Sequence, residues 1–194
     1  RSLNNRKMSP RFDRDSPARF AVMFLALFAI FYYFNIYFFG ITTPGNHYNA
    51  FLDQNLNYIR LLRRVLLQSS AFIINQFGFT TITNDYQLLI AGNGVIKLVY
   101  SCLGLGVMSF FSAFIIAYPT TIRSKLISLV LGNLCIQLLN IVRFVLLAIF
   151  WDKKSRMILD HHTIFNIAVY AIIAISLYFW VRHGEKRIPE NAEN

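Results

Sequence analysis

The sequence predicts an α-helical multi-pass membrane protein with about four to five membrane helices. Hydrophobic residues make up 56% of the 194-residue chain, and the mean hydropathy is +0.46. Only 14% of the residues are charged, which is too few to cover the surface of a soluble domain of this length. With 19 Phe and 10 Tyr, the chain is also too rich in aromatic residues to be disordered.

The apolar stretches predict how the chain is organised. Four stretches approach the length of about 20 residues that crosses the hydrocarbon core of a bilayer. They are residues 20–39, 104–118, 126–151 and 163–181. We therefore predict a single membrane domain over residues 20–182. It is flanked by a basic cytoplasmic tail at residues 1–19 and a cytoplasmic tail at residues 183–194.

Two further segments predict other kinds of structure. Residues 51–79 have helical periodicity, but Arg60, Arg63 and Arg64 share one face, which favours an interfacial or partly inserted helix. A full crossing by this helix would change the topology. Residues 80–100 contain β-branched and aromatic runs around a Gly-Asn-Gly turn, which predict a strand–turn–strand segment. Because strands cannot face lipid unpaired, we expect this segment to be extracytoplasmic.

Basic residues predict the orientation. The N-terminal tail carries six Lys and Arg residues, the turn after residue 118 carries two, and the segment from Arg182 to the C-terminal end carries three. Their excess is typical of the cytoplasmic side of a membrane. We assign the net charge of +10 to this bias and to contact with membrane lipid. Nucleic acid is not expected as a partner, because the chain has no aromatic-plus-basic module and no zinc spacing.

Three reactive side chains are predicted to reach one face of the membrane. Cys102 lies where the strand-like segment meets the span 104–118. Arg143 follows Leu126, the start of its span, by a helical length of about 26 Å, which brings it to the same non-cytoplasmic face. His161 and His162 precede the last span on that face. A thiol, a guanidinium and an imidazole would therefore lie at the same depth.

Each of these residues also has a purely structural interpretation. We interpret Cys135, near the middle of its span, as inert packing, whereas Cys102 precedes a helix N-terminus that favours thiolate. Arg143 alone is compatible with snorkelling to headgroups. However, it continues a row of polar side chains that should face protein or water. That row consists of Asn133, Gln137, Asn140 and Arg143. Neither a metal nor another cofactor is expected, because His161 and His162 lack a neighbouring glutamate and no carboxylate cluster exists.

These residues also carry a resemblance to a known family. The run from Ser101 to Gly104, followed by Asn140-Ile-Val-Arg143 and by His162 at the head of the last helix, resembles the exosortase/archaeosortase family. The similarity covers about residues 78–180, and the family's members are multi-pass membrane cysteine enzymes. The chain departs from the family at Leu103, where Ser or Ala is frequent, and at Asn166, where Gly is frequent.

The resemblance implies a function and a set of catalytic residues. Cys102, Arg143 and His162 would form the catalytic triad, with His161 as an alternative to His162 and with Asn140 in support. The enzyme would be a cysteine peptidase or transpeptidase at the outer face of the cytoplasmic membrane of a prokaryote. It would cleave C-terminal sorting signals of exported proteins through a thioacyl-enzyme. Each signal would consist of a short motif, a transmembrane helix and a basic tail.

Other functions and several details stay open from the sequence. The chain could instead be a non-enzymatic membrane scaffold, or a small transporter that uses the polar row, in a surface-export system. The sequence does not choose between water and an amine as the acceptor, and it leaves the oligomeric state open.

Overall fold

A computed structural model describes residues 17–45, 47–92, 94–149 and 158–185, and the side chains of the last range only from 167 to 182. The helices are α1 Pro17–Thr42, α2 Ala50–Asn55, α3 Tyr58–Gln76, α4 Leu105–Ala117, α5 Ile122–Ile149 and α6 Ile158–Glu185. The strands are β1 Thr81–Thr83, β2 Gln87–Ile90 and β3 Gly94–Lys97, and a 3₁₀ turn covers Tyr100–Leu103. Residues 1–16 and 186–194, the larger parts of the two predicted tails, lie outside the described residues.

Helices α1 and α4 pack antiparallel through aromatic side chains. The ring of Phe24 meets that of Phe110 edge to face at 5.2 Å, and nearer the start of α1 the ring of Phe20 meets that of Phe114 at 5.4 Å. Such edge-to-face geometry is favoured by the aromatic quadrupole. The antiparallel packing brings the end of α1 close to the start of α4.

Helix α5 runs back along α4, so its residues meet α4 in reverse order. The amide Nδ2 of Asn133 donates to Oγ of Ser112 at 3.2 Å. Further along, Nε2 of Gln137 lies 2.7 Å from Sδ of Met108. Continuing this order carries the last third of α5 to the N-terminus of α4, which directly follows the 3₁₀ turn.

Helix α3 and the sheet cover the same end of α5. Where the sequence predicted one helix over residues 51–79, the structure has α2 and α3, separated at Leu56 and Asn57. The Asn57 side chain accepts from the amide of Arg60 at 2.8 Å and so caps α3. The sheet has three antiparallel strands in the order β1-β2-β3, and Gly92, with φ of 88°, permits the turn between the last two.

A shared hydrophobic core joins these elements. Its buried residues include Leu66 and Ile74 from α3, Leu88 from β2, Leu103 from the 3₁₀ turn and Phe144 from α5. Because Cys102 belongs to this same core, the packing of α3 and the sheet against α5 also fixes the position of the 3₁₀ turn.

Helix α6 packs on the opposite part of the bundle and runs parallel to α4. Its buried residues Val169, Ile173 and Leu177 share a cluster with Phe111 of α4 and Ile136 of α5. Close to the end of both helices, the rings of Trp180 and Tyr118 lie 5.2 Å apart. The start of α6 therefore lies toward the end of the bundle that carries the 3₁₀ turn.

Two of the described helices, α1 and α5, are long and apolar enough to cross a membrane. Helix α4 and residues 167–182 of α6 are apolar but shorter. The outer face of α5 exposes large apolar side chains, among them Leu131, Leu134 and Leu138, as expected for a helix in contact with lipid. The architecture is mostly helical and compatible with a membrane protein, and the count of four to five crossings stays a prediction.

Candidate active site

The structure brings Cys102 and Arg143 into contact. Nη2 of Arg143 lies 3.7 Å from Sγ of Cys102, although 41 residues separate them in the chain. Both side chains are buried, with 8% of Cys102 and 4% of Arg143 exposed. The permanently charged guanidinium lies beside the sulfur in a weakly screened interior, where it can stabilise negative charge that develops during a reaction.

The local structure around Cys102 depends on its two following residues. Leu103 is fully buried in the core and anchors the 3₁₀ turn. Gly104 has φ of 73°, in the left-handed region, and from there the chain enters α4. A Cβ at this glycine would run into Nδ2 of Asn140, so the close approach of α5 also requires glycine.

Two side-chain amides of α5 hold the backbone of the turn. Nε2 of Gln137 donates to the carbonyl of Leu103 at 3.2 Å, and Nδ2 of Asn140 donates to the same oxygen at 3.4 Å. Nδ2 of Asn140 also donates to Oε1 of Gln137 at 3.2 Å. The sequence analysis assigned Asn140 a supporting role in the active site, whereas it assigned Gln137 only to the polar row. The available signal was the three-residue spacing from Gln137 to Asn140 to Arg143, which puts all three near one helix face.

The two candidate histidines lie at the start of α6. Both belong by backbone to the first two turns of this helix, and their side chains lie outside the described part of the structure. The helical rise places the backbone of His162 about 27 Å before Trp180 along α6. Since Trp180 packs on Tyr118, which directly follows α4, the start of α6 lies toward the end of the bundle where α4 begins. The approach of a histidine to Cys102 stays a prediction.

Cys135 lies in a different environment from Cys102. The sequence suggested that Cys135 is inert packing near the middle of its span. In the structure it is exposed on the outer face of α5, whereas Cys102 is buried. Helical geometry explains the difference, because Cys135 neighbours the exposed Leu131 and Leu138 at spacings of four and three residues. The surface around Cys135 is apolar and suits contact with lipid, and the described neighbours named here include no guanidinium.

The arginines of α3 belong to the packing of α3 on the sheet. Nη2 of Arg60 and Nη2 of Arg64 lie 2.7 and 3.3 Å from the carboxylate of Asp85. The hydrogen bond from Arg60, followed by that from Arg64, lowers the pKa of the Asp85 carboxyl from its usual range. Arg63 is instead 5% exposed, and its guanidinium lies 4.6 Å from the centre of the Tyr86 ring.

A buried thiol and guanidinium at one end of a bundle of apolar helices define a membrane-type protein with a candidate cysteine active site. The model of the transmembrane exosortase family matches residues 12–179, so the chain belongs to the transmembrane exosortase family. This match confirms the family resemblance found in the sequence, and membership indicates a protein-sorting transpeptidase role in a membrane. Comparisons with curated proteins and with solved structures each found no match. Within the described residues, no group of three His, Cys, Asp or Glu side chains is placed to hold a metal ion.

Proposed function

We propose that this exosortase-family protein is a cysteine transpeptidase or peptidase that cleaves C-terminal sorting signals of exported proteins, with Cys102 as its nucleophile. The observation that carries the proposal is the 3.7 Å contact between Nη2 of Arg143 and the buried Sγ of Cys102. A structural cysteine needs no charged neighbour. Burying a guanidinium beside a thiol is costly, and it is useful where negative charge develops on sulfur or on an attacked carbonyl.

The reaction proceeds through a thioacyl-enzyme. The Cys102 thiolate attacks the scissile carbonyl, a C–S bond forms, and the carbonyl electrons move onto oxygen, where Arg143 stabilises the negative charge. As the oxyanion collapses, the C–N bond breaks and the leaving amine takes a proton from His162, with His161 as the alternative donor. An acceptor amine, or water, gives its proton to the imidazole and attacks the thioester. The C–S bond then breaks and the thiolate is regenerated.

The substrate is a membrane-anchored polypeptide presented at the membrane surface. Its signal consists of a short motif, a transmembrane helix and a basic tail. The helix holds the motif at the level of Cys102, and the basic tail remains on the cytoplasmic side. Charge bias supports an outward-facing site, since Arg123 and Lys125 lie at the opposite end of α5 from Arg143. The location is the cytoplasmic membrane of a prokaryote, with lipid as the second partner.

The contacts of the polar row on α5 favour this proposal over a transporter. The amide groups of Asn133 and Gln137 donate to groups of α4 and of the 3₁₀ turn, and Asn140 donates to the turn as well. Polar groups that hold neighbouring elements together differ from the accessible polar groups that line a solute path. A scaffold function would leave the contact between Cys102 and Arg143 without a purpose.

The test is labelling of intact cells with a membrane-impermeant maleimide in a Cys135→Ala background, where Cys102 is the remaining thiol. We expect Cys102 to be labelled from outside. We expect Arg143→Met, which keeps the side-chain length and removes the charge, to change the labelling rate by about tenfold, the loss of one charge-assisted hydrogen bond. Cys102→Ala provides the background signal.

Two results would overturn the proposal. Labelling that requires permeabilised cells would place Cys102 on the cytoplasmic side and contradict the outward-facing site. A labelling rate that is the same with and without Arg143→Met would mean that the guanidinium does not activate the thiol, which is the behaviour expected of a scaffold.

A further inference from the structure

The carbonyl of Leu103 receives two side-chain hydrogen bonds from α5, although it belongs to a turn that also has its own backbone contact. The amide of Cys102 donates to the carbonyl of Val99 at 2.9 Å, which closes the turn. The carbonyl of Leu103 then accepts from Gln137 at 3.2 Å and from Asn140 at 3.4 Å. The peptide unit between Leu103 and Gly104, one residue beyond Cys102, is thus oriented by another helix.

Gln137 occupies the centre of this arrangement. Its Nε2 donates to Leu103 and lies 2.7 Å from Sδ of Met108, while its Oε1 accepts from Asn140. The Gln137 side chain therefore joins three elements, namely the 3₁₀ turn, α4 and the face of α5 that carries Arg143.

We propose that Gln137 is a positioning residue for Cys102, because its amide, together with that of Asn140, fixes the Leu103 carbonyl and so holds Sγ against the guanidinium of Arg143. This inference rests on the proposed function, in which Cys102 is the nucleophile. Asn140 already has a supporting place there, and Gln137 is the additional residue.

The physical need for such a residue comes from Gly104. Glycine has little intrinsic preference between left-handed and right-handed backbone conformations, so the chain after Leu103 can rotate unless another contact restrains it. A peptide unit is planar, so fixing the Leu103 carbonyl orients the whole unit between Leu103 and Gly104. The Leu103 side chain is fully buried and the amide of Cys102 is bonded to Val99, so the short turn that leads back to Cys102 is held as well. Displacement of a reacting atom by about 1 Å can cost about a hundredfold in rate.

The main variant is Gln137→Glu. It keeps the shape of the side chain and replaces the donor facing the Leu103 carbonyl with an oxygen, which repels it. Asn133→Asp is the matched control, because it makes the same chemical change one turn away on the same helix, where the side chain meets Ser112 rather than the turn. Gln137→Met removes the hydrogen-bonding groups while nearly conserving the volume, and it replaces Gln137→Glu if that variant loses helical circular dichroism.

The experiment is a double-mutant cycle on the purified full-length protein carrying Cys135→Ala. The alkylation rate of Cys102 by iodoacetamide is measured with and without Arg143→Met in each background. We expect Arg143→Met to change the rate about tenfold in the parent and in Asn133→Asp, and less than twofold in Gln137→Glu and Gln137→Met. This ratio does not depend on whether loosening the turn makes the thiol more or less accessible.

The outcomes separate the two proposals. If Arg143→Met changes the rate in the parent and equally in the Gln137 variants, Gln137 does not position Cys102, and the proposed nucleophile stands. If Arg143→Met has no effect in the parent, the proposed activation of Cys102 and the positioning of its sulfur both fail. Loss of the Arg143 effect in Asn133→Asp as well would show a general loosening of α5 and would overturn the specific role of Gln137.

Discussion

Burial gives the contact between Cys102 and Arg143 its chemical importance. On an exposed surface, a guanidinium near a thiol is screened by water and salt, and its influence is small. Here 4% of Arg143 and 8% of Cys102 are exposed, so their interaction operates in a medium of much lower effective dielectric. The same burial requires neighbouring residues to hold both side chains in place. Among these neighbours, Gly104 tolerates substitution least.

Gly104→Ala is expected to destabilise the protein and to displace Asn140. The left-handed φ of 73° disfavours any residue with a Cβ by about 1 kcal/mol, and the new methyl group would also run into Nδ2 of Asn140. We expect a total loss of about 1–3 kcal/mol in the free energy of unfolding, the range of overpacked cores. The measurement is thermal unfolding in detergent, followed by circular dichroism.

The control for this prediction is Gly40→Ala in α1. A Cβ at Gly40 meets no atom within 4 Å, so this substitution should leave the unfolding temperature unchanged or raise it slightly. Combining Gly104→Ala with Asn140→Ala should recover part of the loss, because the close contact is relieved. Equal unfolding temperatures for Gly104→Ala and the parent would show that α5 moves away from the turn at little cost.

At this scale, the sequence was informative where spacing along a helix carries the information. Counting residues from the predicted ends of the spans brought Cys102 and Arg143 to one level, and Asn140 entered through the polar row and the family resemblance. In the structure Arg143 contacts Cys102 and Asn140 contacts the adjoining turn, and their catalytic roles stay a prediction. Spacing placed Gln137 in the polar row, but its contact with the Leu103 carbonyl was missed because a backbone carbonyl leaves no pattern in residue types. The sequence alone did not assign Cys135 to either face of α5, because that helix is apolar on both its inner and outer faces.

At the scale of elements, α3 and the sheet are joined through both apolar packing and charge. Arg60 and Arg64 lie one turn apart on α3 and share the carboxylate of Asp85, which precedes β2. Such partly exposed pairs are individually weak, commonly below about 1 kcal/mol. Their importance here is positional, since the sheet they attach continues directly into the 3₁₀ turn that carries Cys102.

The ion pairs of Asp85 predict a loss of stability in acid. The hydrogen bond from Arg60 lowers the pKa of this carboxyl from its ordinary value of 3.8, so the folded state binds its proton less readily than the unfolded state. The ion pairs therefore stabilise the folded state above about pH 4, and this stabilisation is lost as the pH falls through the lowered pKa of Asp85. We expect Asp85→Asn to lower the unfolding temperature at pH 7 and to leave it closer to that of the parent at pH 3.

Replacing both arginines separates this effect from general acid sensitivity. Arg60→Gln combined with Arg64→Gln should remove the same part of the pH dependence, and adding Asp85→Asn to that pair should change little more. An unaltered acid profile in Asp85→Asn would contradict a stabilising role for these ion pairs.

The elements themselves were predictable where apolar length decides the structure. The spans at 20–39, 104–118, 126–151 and 163–181 correspond to α1, α4, α5 and α6, whose ends differ by a few residues. The break between α2 and α3 was missed, because Asn57 acts as a helix cap inside a segment whose periodicity continues on both sides. The strand-like segment contains three strands, the first of which, Thr81–Thr83, is too short to give a clear alternating pattern.

At the scale of the whole molecule, α4, α5 and α6 each have one end in the same part of the bundle, although these ends are far apart in the sequence. Helices α4 and α6 run in the same direction and α5 runs in the opposite direction, so the start of α4, the end of α5 and the start of α6 lie toward one end of the bundle. The helices fix the depth of each reactive residue, and α3 with the sheet covers that end beside α5. Sequence counting could predict such depths because the helical rise is constant, but it could not predict which helix faces meet.

This arrangement predicts a specific disulfide between Cys102 and the start of α6. In a Cys135→Ala background, His162→Cys should form a disulfide with Cys102 on mild oxidation, because an imidazole that exchanges protons at Cys102 must have its backbone close to that residue. Ile173→Cys is the control, since Ile173 lies three turns further along α6 in the cluster with Phe111 and Ile136 and should not react.

His161→Cys distinguishes the two candidate histidines. More efficient bridging at 161 would transfer the proton-transfer role to His161. Absence of a disulfide at both positions would remove the imidazole from the proposed mechanism and leave Cys102 and Arg143 as its reacting groups.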